Sequence, residues 1–109
     1  MMGRITTHVL DTAKGRPGAG MKIELSVLDG QVWRHLKTVA TNEDGRTDQP
    51  LLEDPKPGTY QLVFHVGEYF KEKAFLDLVP VRFGIADASS HYHVPLLCSP
   101  WGYTTYRGS

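Results

Sequence analysis

His91-Tyr-His-Val-Pro-Leu-Leu-Cys-Ser-Pro-Trp-Gly-Tyr-Thr-Thr-Tyr-Arg-Gly-Ser109 is the stretch around which the rest of the chain is organised. Chain ends usually lose order and information. This one reads as a strand, a Ser99-Pro100 turn and a second strand that runs to Ser109, which suggests a segment docked into a site. Alternate side chains of a strand face opposite ways. Tyr92, Val94, Leu96 and Cys98 then share a face suited to a core. His91, His93, Pro95 and Leu97 share the other, which is neither cleanly polar nor cleanly apolar. Such a face marks a ligand groove or a subunit contact.

Upstream, the same period of two recurs. Ile5, Thr7 and Val9 fall on one side of a strand, and Thr6, His8 and Leu10 on the other. Asp11 to Gly20 is rich in Gly and reads as a loop. Lys22 to Leu28 is a half-buried strand with Ile23, Leu25 and Val27 inward. Asp29-Gly30 signals a hairpin, and Val32 to Thr41 is its returning strand. Asn42-Glu-Asp-Gly45 is a further turn, and it delivers Arg46. Thr47 to Gly58 is interrupted by Pro and reads as loop or a short edge strand. Tyr60, Leu62, Phe64 and Val66 face inward on the next strand. Gly67 to Ala74 lacks a period of two and is expected to be the one short helix. Val79, Val81, Phe83 and Ile85 face inward on a strand, and Asp87 to Ser90 turns the chain into its last pair. Seven or eight short strands separated by turns fit an all-β antiparallel sandwich.

The length of 109 residues suits one domain, and 40% apolar with 22% charged residues suits a globular protein. A core this small gains from association with further copies. The formal net charge of zero argues against a nucleic-acid partner, whose capture needs clustered Lys and Arg. No apolar run approaches the roughly 20 residues of a membrane helix. The first residues carry no apolar signal-peptide core, so a cytoplasmic location is expected. Cys98 is the single cysteine. It has no internal disulfide partner, and its place on the apolar face suits packing.

Five histidines are present. His65 and His35 read as solvated strand residues. His8, His91 and His93 lie on mixed faces. His91-X-His93 is a common chelating geometry on a strand, and His8 could supply a third metal ligand. No acidic residue stands near, however, and an Arg beside a cation is unfavourable, so no metal is expected. The same lack of acid weakens a Ser-His-Asp triad, and Ser99 lacks a nucleophile-elbow context. Neutral histidines, an Arg and hydroxyls remain. They suit activation of water and stabilisation of an oxyanion, which is metal-free hydrolysis. A β-sandwich binding module fits the same residues equally well.

Three segments carry a resemblance that reaches further. They are Ile5-Thr-Thr-His-Val-Leu-Asp-Thr-Ala-Lys-Gly-Arg-Pro17, Thr41-Asn-Glu-Asp-Gly-Arg-Thr-Asp48 with Pro50-Leu-Leu52, and His91 to Pro100 with Tyr106-Arg-Gly-Ser109. In these the chain resembles the 5-hydroxyisourate hydrolases, the transthyretin-related proteins, over essentially its whole length. The terminal Tyr-Arg-Gly-Ser is the most specific of the marks, because it separates the hydrolases from transthyretin. Cys98 and Trp101 stand where the family usually has an aliphatic residue and Tyr, and neither touches the catalytic positions.

The resemblance implies one hydrolase domain over residues 1–109, built as a transthyretin-like sandwich of two four-stranded sheets with a short helix after the fifth strand. It implies a homotetramer, a dimer of dimers, with sites in the channel between dimers. The implied reaction is hydrolysis of 5-hydroxyisourate to 2-oxo-4-hydroxy-4-carboxy-5-ureidoimidazoline in urate breakdown, a part of purine metabolism, with no cofactor. His8, Arg46, His93 and Ser109 match the catalytic positions. His8, Arg46, Tyr106, Arg107, Gly108 and Ser109 match those that bind substrate or shape the site. His91 is not among the catalytic positions. The alternative is a non-catalytic transthyretin-like binder of small ligands, which would be expected to have lost His8, His93 and the terminal tetrapeptide.

Overall fold

A computed structural model describes residues 2–109, so Met1, which opens the expected domain span, lies outside the described residues. The elements in chain order are β1 (Arg4–Asp11), β2 (Arg16–Pro17), β3 (Lys22–Asp29), β4 (Val32–Ala40), β5 (Leu52–Glu53), β6 (Gly58–His65), α1 (Val66–Phe70), β7 (Leu78–Ile85), β8 (His91–Ser99) and β9 (Gly102–Thr105). One sheet runs β2-β1-β8-β9, with β5 also paired to β1, and the other runs β4-β3-β6-β7. The all-β sandwich expected from alternation is therefore present.

Its details differ from the expectation in two ways. β1 and β8 run parallel, with Thr6 opposite His93 and His8 opposite Pro95, so the first sheet is mixed. That sheet also has five strands and not four. The two differences have separate origins. A period of two is identical for either strand direction, and β2 and β5, at two residues each, are too short to show any period.

The two sheets close on one core. Ile5, Val9, Ile23, Leu25, Leu62, Phe64, Leu96 and Cys98 in it are fully shielded, and each lies on the face its alternation assigns. Burial of such side chains contributes about 1.5–3 kcal/mol apiece. β7 follows the pattern at its ends, where Val79 and Ile85 are buried. Val81 and Phe83 only pack against the core from its margin, because β7 is an edge strand. The helix begins at Val66, still buried beneath the sheet, and stops at Phe70, where Lys71 turns left-handed (φ 57°). It is shorter than the expected Gly67 to Ala74. No described helix is long and apolar enough to cross a membrane.

The last segment keeps a single register against β8. Leu96 faces Thr105 and Ser99 faces Gly102 in β9, and His93 faces Gly108 in an isolated bridge. The ladder is broken between them because Pro95 has no N–H to donate. The Thr105 hydroxyl donates instead to the Pro95 carbonyl at 2.7 Å. Two polar groups in the shell of the core are also accounted for. Asp11 is fully buried, and it accepts hydrogen bonds from the Lys14 N–H at 3.0 Å and the Tyr69 hydroxyl at 2.8 Å. Burial, reinforced by that bond, pushes the Tyr69 phenol up to about 12. His65 is not solvated as its sequence position suggests. Its Nε2 lies 2.6 Å from Glu24 Oε2 across β3 and β6.

Candidate active site

The parallel register of β1 and β8 builds the floor of the site. Arg4 lies beside His91, Thr6 beside His93, and His8 beside Pro95. These residues occupy the sheet face opposite Ile5, Thr7 and Val9, which are buried. His8 is thus one step along the strand from the pair formed by Thr6 and His93. The Thr6 hydroxyl oxygen lies 2.6 Å from His91 Nε2 and 2.8 Å from His93 Nδ1.

Arg46 is brought to this floor by the Asn42 turn. The Asn42 side-chain oxygen accepts the N–H groups of Asp44 and Arg46 at 2.9 and 3.2 Å. The Asn42 N–H donates to the Arg46 carbonyl at 2.7 Å. An Asn that bonds to its own downstream backbone fixes a tight turn. The turn is then fastened to β1, because the Val9 N–H donates to the Gly45 carbonyl at 2.8 Å. Gly45 has φ 75°, and a Cβ there would run into the Val9 carbonyl oxygen, so only glycine fits.

The last residues close the other side. The Gly108 N–H donates to the His93 carbonyl at 2.8 Å, and a Cβ on Gly108 would collide with Cδ2 of the His93 ring. Arg107 donates from Nη2 to the His91 carbonyl at 3.2 Å, and its guanidinium sits 4.3 Å from the Tyr92 ring centre. The result is a depression of about 360 Å³ bordered by Thr6, Arg46, Asp48, His91, His93 and Ser109.

Of the residues expected at the site, Arg46, His93 and Ser109 meet at this depression. His8 stands just beyond its rim on the same sheet face, half-buried. Gly108 lies under the His93 ring. Tyr106 and Arg107 line a separate hollow with Val81, Phe83, Tyr92 and Val94. Arg107 reaches the site through the backbone carbonyl of His91. Thr6 and Asp48 border the depression without having been singled out, and His91, expected outside the catalytic positions, borders it too. The sequence did place Thr6 on the face of His8, but a threonine there is unremarkable until the partner strand is known.

Burial pushes the His93 pKa down, and the charges of Arg46, His91 and His8 push it further. Burial also lowers His91, with help from Arg4 and Arg107. Both rings are therefore held neutral at pH 7, which suits a base. His93 Nε2 has no hydrogen-bond partner among the described residues, since its bond to Thr6 uses Nδ1. Arg46 presents a fork of donors suited to carbonyl or carboxylate oxygens. Cys98 is fully buried, and burial beside Asp11 pushes its thiol up to about 12, which leaves it inert. Among the described residues no group of three or more His, Cys, Asp or Glu is arranged to hold a metal ion.

Known proteins share this arrangement of strands. The profile of the HIUase/Transthyretin family matches residues 5–108. A 5-hydroxyisourate hydrolase 2 of Rhizobium meliloti (strain 1021) is 60% identical over 116 aligned positions, covering 98% of this chain and 97% of that protein. The structure of Klebsiella pneumoniae 5-hydroxyisourate hydrolase superposes with a TM-score of 0.83 at 31% identity, over 97% of this chain and 99% of that one. An (S)-allantoin synthase superposes with a TM-score of 0.91 at 42% identity over 98% of this chain, which spans only 44% of the synthase. With residues 5–108 matched by the profile and full-length likeness in both sequence and strand arrangement, the chain belongs to the HIUase/Transthyretin family.

Proposed function

We propose that this protein hydrolyses 5-hydroxyisourate to 2-oxo-4-hydroxy-4-carboxy-5-ureidoimidazoline, a step of urate catabolism, without a metal. The observation that carries the reading is a neutral His93, its Nε2 unoccupied, beside Arg46 in one depression. The likeness to proteins named for that reaction supplies the substrate.

Water adds to the C6 carbonyl of the ring. His93 Nε2 takes a proton from the water as the new C–O bond forms, and His8 holds the water in line. Arg46 donates hydrogen bonds to the oxygen that gains charge, a term worth about 10²–10³ in rate at comparable sites. The C6–N1 bond then breaks, and His93 returns its proton to N1. The Ser109 hydroxyl anchors the polar edge of the ring. Gly108, Arg107 and Tyr106 hold Ser109 in place and do not meet the reacting atoms. No cofactor takes part.

The working unit in this reading is a homotetramer, a dimer of dimers, of single-domain subunits. Leu10 and Leu97 are register partners on the sheet face that carries the histidines, and both are only half-buried in the isolated chain. A second copy laid over this face would cover that apolar pair and shield the open depression from bulk water.

The test generates 5-hydroxyisourate from urate with urate oxidase, adds the protein and follows the ultraviolet absorbance in the presence of EDTA. Loss of the intermediate well above its spontaneous decay, unaffected by EDTA, is expected. A folded protein that leaves the decay unchanged refutes the hydrolase reading, and an activity abolished by EDTA refutes its metal-free form.

A further inference from the structure

Thr6 takes no part in the steps above, yet its hydroxyl joins the two histidines of His91-X-His93. The oxygen lies 2.6 Å from His91 Nε2 and 2.8 Å from His93 Nδ1. The contact is set by strand register, since Thr6 faces His93 and Arg4 faces His91. A hydroxyl has one proton and two lone pairs. It cannot donate to both rings, so at least one imidazole donates to it.

If both rings donate to Thr6, its hydroxyl proton has no partner among the described residues; two one-directional chains use that proton and satisfy both contacts when the rings are neutral. In one, Thr6 donates to His93 Nδ1. The single ring proton of His93 is then on Nε2, and Nε2 cannot accept a proton from water. In the other, the Nδ1–H of His93 donates to Thr6, Thr6 donates to His91 Nε2, and His93 Nε2 is bare. Neutral histidine in water prefers the Nε2–H form, so the second chain needs something to hold it. Arg46 borders the same depression as His93 and its charge acts on that ring, which favours a lone pair over an N–H on the nitrogen turned away from Thr6.

We propose that Thr6 is a positioning residue that fixes His93 in its Nδ1–H form, with His91 Nε2 as the acceptor at the far end of the chain. The proposal rests on the reading of His93 as the base. It gives His91 a function without placing it in contact with substrate. No proton is gained or lost in the resting protein: each of the two rings and the hydroxyl carries one.

The decisive measurement is a two-bond proton–nitrogen NMR correlation of the ¹⁵N-histidine-labelled protein, free of substrate, at about pH 8, where the rings are neutral. The His91→Gln and His93→Gln variants provide assignments. Expected are a protonated Nδ1 and a bare Nε2 on His93, together with a bare Nε2 on His91. A protonated Nε2 on either ring overturns the proposal. This readout needs no turnover, so it separates failure of the proposal from failure of the hydrolase reading.

Kinetics supply the second arm. Thr6→Val keeps the shape and loses the hydroxyl, while Thr6→Ser keeps the hydroxyl and loses a methyl. With the native tautomer lost, Thr6→Val should lower kcat about tenfold or more at a KM within about twofold of the parent. Thr6→Ser should stay within about threefold of the parent kcat. A Thr6→Val protein with the parent's kcat overturns the proposal. A Thr6→Ser protein as slow as Thr6→Val also overturns it, because shape and not the hydroxyl would then be what matters.

Discussion

In the proposed reaction Arg46 has two roles that a pH profile separates. It would steady the oxyanion, and after burial it is the largest influence holding His93 below the usual histidine range. His93 would serve as the proposed base only when neutral. The acid limb of kcat/KM should therefore lie below about 6.5, the ordinary histidine value. Arg46→Gln removes the cation, so the pKa of His93 rises and the limb moves to higher pH. The plateau should fall as well, by about 10² or more, through loss of the oxyanion contact. Initial rates of the two proteins between about pH 5 and about pH 8 would show both effects. A limb that stays put, or moves to lower pH, would mean that His93 is not the titrating base. Gly108 makes a different demand at the same histidine. The ring of His93 occupies the space a Cβ would take, so any larger residue at 108 would have to push that ring aside.

At the scale of elements, β1 is the strand on which the site depends, and it is held along both edges. One edge pairs with β8 throughout its length. The other is covered in turn by β5, the Gly45 turn and β2. Gly45→Ala should lower stability by about 1–3 kcal/mol from backbone strain alone, and more as the turn is forced off Val9. Turnover should fall with it, since Arg46 leaves with the turn. Urea unfolding and the hydrolase assay would test this, and an Ala variant of parental stability and rate would show that the turn is not held there. Much at this scale was legible beforehand. Alternation placed Ile5, Leu25, Phe64 and Leu96 correctly, and the Asn42 to Gly45 turn announced itself through its end residues. The pairing of β1 with β8 was not legible, because alternation carries neither direction nor partner. For that reason His8 and His93 could be related only through the family resemblance, and Thr6 was passed over. The early stop of α1 was hidden too, since a lysine at position 71 gives no sign of a left-handed backbone.

At the scale of the whole molecule, the outward pair of Leu10 and Leu97 makes assembly testable. A charge buried without a partner is strongly unfavourable. If the protein is the proposed tetramer, Leu97→Glu should therefore reduce it to dimer or monomer in light scattering while the far-ultraviolet circular dichroism stays that of the parent. A tetramer that survives this change would place the contact elsewhere. The parallel union of β1 and β8 has a consequence in time as well as in space. Thr6 and His93 are separated by 87 positions in the sequence, and joining them closes nearly the whole chain into a loop. Local structure such as the β3–β4 hairpin forms fast, whereas contacts this distant come slowly, because the entropy of closure precedes their reward. A half-folded chain with its second sheet in place holds Arg46, His8 and His93 apart. Activity regained after dilution from denaturant should then lag the recovery of strand signal, and the part of that lag that does not change with protein concentration reports the closure.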